Sequence, residues 1–149
     1  MTIDDVAATR RRAALRGEEA VATWRIKTGV WGARLYAVVQ AIPGLGAILW
    51  HGPATTFILT HSILTAAVIL AVSFRIARGS RWFAIALLGF FLFEKWLAFS
   101  RFGWTGLFNG WLIAVAIAFG LVQGVWGTSR RRAIARERAG ESVSAPAAL

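Results

Sequence analysis

The sequence predicts an all-α integral membrane protein, a bundle of four transmembrane helices with the N- and C-termini both inside. Three observations carry this reading. Leu107 to Trp126 holds twenty residues without a charge, enough to cross the ~30 Å hydrocarbon core of a bilayer at about 1.5 Å per residue. Three further long apolar stretches precede it. Lys and Arg gather at alternate ends of these runs, where they act as topology determinants.

Composition agrees. The chain is 57% hydrophobic with a mean hydropathy of +0.58, above the ~45–50% apolar usage of soluble domains. Eight Trp and ten Phe against a single Tyr suit rings that face lipid or the headgroup layer. The absence of Cys excludes disulfides, thiolate metal sites and cysteine nucleophiles. The net charge of +10 comes from residues bounding apolar runs, not from a folded basic face, so nucleic acid is not an expected partner.

Residues 1–29 form a basic cytoplasmic segment, helix-prone, with Thr2 and Asp5 spaced as in a capping box. Arg10, Arg11, Arg12 and Arg16 precede Glu18 and Glu19, and Ala13, Ala20, Val21 and Trp24 supply a weak apolar stripe. The segment is expected either to lie on the anionic inner leaflet, drawn by its arginines, or to be a solvated leader that sets orientation. Its long charged region is unlike a cleavable signal peptide.

Residues 30–128 form the membrane domain, with spans at about 30–50, 54–74, 82–99 and 104–126. In the first span Arg34 can snorkel to the inner interface. Gly29, Ala33, Ala37 and Ala41 recur every four residues and make one face small enough for a close neighbour. Pro43, beside Gly44, predicts a kink or a broken last turn. The second span is rich in Thr and Ser, which can bond back to their own helix, and carries His61. A loop with Arg75, Arg78 and Arg81 follows. The third span is interrupted by Glu94 and Lys95, and Arg101 and Gly103 make the next turn. Residues 129–149 are a cytoplasmic tail, a short basic helix to Glu141 and then a disordered end. The positive-inside rule places both termini in the cytoplasm and the chain in the cytoplasmic membrane.

Two constellations are candidates for function. In the predicted topology His61 lies ~10 Å and Glu94 roughly 8 Å below the outer boundary, from their distances to the span ends. Asn109 comes in at a similar depth, His51 lies at that surface, and Arg34, Gln40 and Gln123 lie elsewhere. Glu94, Lys95, His61, Asn109, Arg101 and His51 thus form a candidate polar or transport site open to the outside, because an ionisable group within a span is costly unless used or paired. The competing expectation is a short, tilted third helix, with Glu94 and Lys95 near the headgroups and Glu94 paired with His61 or Arg101. No catalytic base–nucleophile pair is recognisable. His51 and His61 differ in depth, which argues against haem, and only one carboxylate lies within reach of a metal; no metal or cofactor is expected.

The second constellation is packing. Gly106, Gly110, Ala114 and Ala118 form one small ridge on the fourth span, and Ala116, Gly120 and Gly124 a second, followed by Gly127. With Ala33, Ala37 and Ala41 on the first span, they predict close helix contacts, within the chain, with a second copy or with another membrane protein. In span count and size the chain resembles the small multidrug exporters, but the first span carries Gln40 and Pro43 where that family has its membrane-embedded Glu. The expected function is that of a small polytopic inner-membrane protein, not an enzyme, working through helix packing as an oligomer or accessory subunit. The alternative is a small transporter or channel built around Glu94.

Overall fold

A computed structural model describes residues 3–49, 55–108 and 110–144, and these are helical or in short turns, with no strand. Four helices follow in order: α1 (Ile3–Leu49), α2 (Thr55–Ala77), α3 (Arg81–Phe108) and α4 (Trp111–Ser144). All four are long and apolar enough to cross a membrane.

α1 is the central helix. It packs on α4 along one side and on α2 along another, while α3 lies against α4 and, over a shorter length, α2. The α1–α4 contact is made by glycine. A Cβ on Gly32 would lie 2.9 Å from the Gly120 Cα, and a Cβ on Gly120 would lie 2.8 Å from the Gly32 Cα. Gly29 meets Gly124 in the same way, and a Cβ on Gly127 would sit 2.8 Å from the Ala22 carbonyl oxygen. In lipid no hydrophobic force drives helices together, so van der Waals contact of this kind between bare backbones holds them. On the α2 side, Gly44 meets Ser62. Around these seams Ala33, Tyr36, Ala37, Ile69, Ile76, Leu87, Phe91, Ile117 and Leu121 form one buried cluster. Two of the buried hydroxyls are satisfied within their own helices: Ser73 bonds to the Leu70 carbonyl and Thr128 to that of Gly124.

The helix ends follow local chemistry. α2 stops at Gly79, whose φ of 84° completes a left-handed cap in which the Ser80 N–H bonds to the Arg75 carbonyl and the Gly79 N–H to that of Ile76. The Ser80 carbonyl then accepts from the Ala84 N–H to start α3. α3 runs past the predicted end at 99 and breaks at Gly103, where φ is 59° and ψ is −145°. α4 begins at Trp111, after Gly110 with φ 67°.

The broken last turn expected at Pro43 is not seen, since α1 continues to Leu49. Residues 3–29 are not a separate helix either, because α1 is unbroken from Ile3 through the first span. The face that packs is Leu15, Ala22 and Ile26, all buried, whereas Ala13, Ala20, Val21 and Trp24 are exposed. On α4, Thr128 and Ile134 are buried at this end. Glu18 pairs with Arg130 and Glu19 with Arg138, each at 2.6 Å. Half-exposed pairs of this sort contribute little on their own, about 0–1 kcal/mol; they set register between the two extensions.

The outside of the bundle is apolar. Exposed tryptophans form two belts: Trp24, Trp31, Trp82 and Trp126 toward the end that carries the termini, and Trp96, Trp104 and Trp111 toward the opposite end. Trp111 and Trp126 are separated by about 22 Å along α4, a spacing that suits rings at the two interfaces of one bilayer. Near the first belt Arg25 lies 5.2 Å from the Trp126 ring, Arg34 5.9 Å from Phe74 and Arg75 5.9 Å from Phe83.

Candidate functional site

Glu94 is held inside the bundle by α1. The Tyr36 hydroxyl donates to Glu94 Oε2, and Gln40 Nε2 donates to the same oxygen at 2.6 Å. Tyr36 and Gln40 are four residues apart and so share one face of α1. Tyr36 is 2% exposed, and its ring is fixed edge-on against Phe91, one turn from Glu94 on α3, with centroids 5.3 Å apart. Two donors converging on one oxygen are the partners a carboxylate needs away from water, where an unpaired one costs a few kcal/mol.

Beside this cluster is a cavity of about 220 Å³ between α1, α3 and α4. Its polar wall is Tyr36, Gln40, Glu94 and Lys95; its apolar wall includes Phe91, Ile113, Ala114 and Ile117. Pro43 and Val39 also line it. Proline has no N–H, so the Val39 carbonyl, four residues earlier, loses its normal helical donor. The proline thus removes one backbone bond from the span without ending the helix. Lys95 Nζ lies 5.9 Å from the Phe91 ring and brings a positive charge to the same space.

The candidate residues separate. Glu94 and Lys95 share the cavity, and no ion pair joins Glu94 to Lys95, His61 or Arg101 among the described residues. His61 is exposed, stacks on Phe57 with centroids 6.1 Å apart, and lines a different, apolar groove of about 450 Å³ between α2 and α3. Arg101 is exposed and does not line the cavity. Asn109 and His51 lie outside the described residues.

The two ridges of the fourth span also part company. Gly120 and Gly124 face α1. Gly106 belongs to the end of α3, beyond the Gly103 break, and Gly110 is a turn residue with nothing within 4 Å of where its Cβ would be. Gly110 and Ala114 border the cavity, and Ala114 also packs against the buried cluster. On α1, Ala33 and Ala37 are buried and Ala41 half-buried.

Sequence reasoning overlooked Tyr36 and left Gln40 aside. Both carried a signal: Tyr36 is the one tyrosine of the chain, and Gln40 lies one helical turn from it on the same face. Depth concealed the pairing. With the break at Gly103, Glu94 lies nine residues from the end of its helix, as Gln40 does from Leu49, so both sit about 13 Å in.

The chain matches no protein-family model, no curated protein and no solved structure. The chemistry of the cavity is therefore the ground for a functional reading. It offers a carboxylate, already held by a phenol and an amide, and an ammonium to a molecule of a few heavy atoms. Among the described residues no group of three or more His, Cys, Asp or Glu is placed to hold a metal ion.

Proposed function

We propose that this is a small-solute transporter or channel of the cytoplasmic membrane, with the cavity around Glu94 as its binding site. The observation that carries the reading is that Glu94, held by Tyr36 and Gln40, lines a pocket that opens on the side of an apolar bundle. A carboxylate and an ammonium side by side suit a small polar solute with groups of both signs. Glu94 takes the cationic or proton-donating part and Lys95 the anionic or accepting part.

The termini are cytoplasmic in this reading. Every Lys and Arg except Lys95 and Arg101 lies in the N-terminal extension, the first turns of α1's apolar stretch, the α2–α3 turn or the α4 extension. The cavity then lies toward the outer side. A reporter fused after Leu149 should be active only in the cytoplasm; activity on the far side would reverse the orientation.

The deciding experiment is flux into liposomes containing the purified chain, screened over protons and small zwitterionic solutes. Glu94→Gln, close in size, is expected to reduce flux at least about tenfold, since it removes a charged partner while keeping the fold. Ala114→Leu occupies the cavity from α4 while leaving the Glu94 carboxylate in the chain, and it should block flux with little change in melting temperature. Flux that survives both substitutions would overturn the reading.

A second reading, an oligomer or accessory subunit, draws on the open apolar groove between α2 and α3. It expects a complex larger than one chain on extraction in mild detergent. The second of its glycine ridges, however, has partners within the chain, since Gly120 and Gly124 meet Gly32 and Gly29.

A further inference from the structure

A second groove, of about 480 Å³, opens on the side of the bundle at the end that carries the termini, between α1, the end of α2 and α4. Three cations line it, Lys27, Arg34 and Arg131, and no carboxylate does. The two acids on the neighbouring stretch of α1, Glu18 and Glu19, are paired with Arg130 and Arg138. Lys27, Arg34 and Arg131 therefore present positive charge that no described carboxylate neutralises. Lys27 and Arg34 lie seven residues apart, two helical turns, on one face of α1 and about 10 Å from each other. Val30 and Trp31 fill the stretch between them, and Trp31 is 57% exposed. From α4 the Arg131 guanidinium reaches the α2–α3 turn, with Nη1 3.6 Å from where a Gly79 Cβ would be. The groove is thus cationic at its mouth, apolar along its wall and level with the inner tryptophan belt.

We propose that this groove binds one anionic phospholipid, with its phosphate between Lys27 and Arg131. Arg34 snorkels up to the same headgroup from two turns deeper, and an acyl chain lies along Val30 and Trp31. Charge complementarity selects the occupant: guanidinium and ammonium groups hold a phosphate through charge-assisted hydrogen bonds, and basic pockets between membrane helices at the inner surface take anionic headgroups. A zwitterionic lipid brings its own cation into a site that already holds three. A soluble phosphate lacks the chain that the apolar wall would cover. This inference does not rest on the Glu94 reading.

The test uses the full chain in mild detergent, read by melting temperature and by native mass spectrometry. Phosphatidylglycerol, phosphatidylcholine and glycerol phosphate are titrated separately. Phosphatidylglycerol should raise the melting temperature and remain bound one per chain, while the other two leave both readouts unchanged. Lys27→Gln with Arg131→Gln should weaken phosphatidylglycerol binding about tenfold or more, and Arg132→Gln, which does not line the groove, should not. Should the double variant fail to fold, Lys27→Gln alone serves, with a smaller loss of the same sign. Equal stabilisation by phosphatidylcholine or by glycerol phosphate would overturn the proposal, as would unchanged binding in the Lys27 variants.

Discussion

Gly120→Leu is expected to prevent α1 and α4 from assembling, so that the variant is recovered aggregated or degraded instead of as a discrete species in mild detergent. At this position even a Cβ would lie 2.8 Å from the Gly32 Cα and 3.1 Å from the Thr28 carbonyl oxygen. Both obstacles are backbone, which cannot swing aside as the end of a side chain can. Overpacking a core costs about 1–3 kcal/mol when side chains can adjust. Here the two helices must separate along the seam that Gly29, Gly32, Gly120 and Gly124 share, so about 3 kcal/mol or more is expected, a large part of a marginal stability of about 5–15 kcal/mol. Gly46→Leu is the control, because nothing lies within 4 Å of its Cβ position. If Gly120→Leu extracts and melts like Gly46→Leu, the close α1–α4 approach is wrong.

The second large effect is at Glu94. Tyr36→Phe combined with Gln40→Leu removes both donors from Glu94 Oε2. Interhelical hydrogen bonds in membranes average only about 0.6 kcal/mol each, so their loss alone is a small part of the effect. The larger part is the carboxylate left without partners in an apolar surround, about 1–3 kcal/mol or more. The double variant should therefore melt clearly below wild type. Adding Glu94→Leu removes the stranded group and should restore most of the stability, because no carboxylate is then left without its donors. Flux in liposomes, if the proposed function holds, stays absent in the triple variant. Recovered stability with absent flux separates the structural from the functional part of the cluster. A double variant as stable as wild type would mean that the donors do not hold Glu94.

Why was Glu94 legible in the sequence and its partners not? A carboxylate within an apolar run stands out by composition. Hydropathy ends the third span at 99, whereas the helix continues to Gly103. An error of one turn moved Glu94 about 5 Å toward the surface, away from Gln40 and toward His61 and Arg101. Azimuth was invisible altogether: His61 is near in depth but lines the groove between α2 and α3. The N-terminal stripe shows the same limit. Ala13, Ala20, Val21 and Trp24 are as apolar as Leu15, Ala22 and Ile26, and only the position of α4 selects the buried set.

The sequence by itself determined that four helices are long and apolar enough to cross a membrane, because length and hydropathy along a chain suffice to match each segment to lipid. It also determined which glycines were free to pack, because only glycine and alanine let backbones meet. Tertiary structure alone decided which of them do. Gly120 and Gly124 meet α1, while Gly110 and Ala114 border a cavity, and Tyr36 and Gln40 are brought to Glu94 across more than fifty residues. Those choices depend on rotation of each helix about its axis. Lipid wets every apolar face alike, so no single span's residues set that angle; the neighbouring helices do.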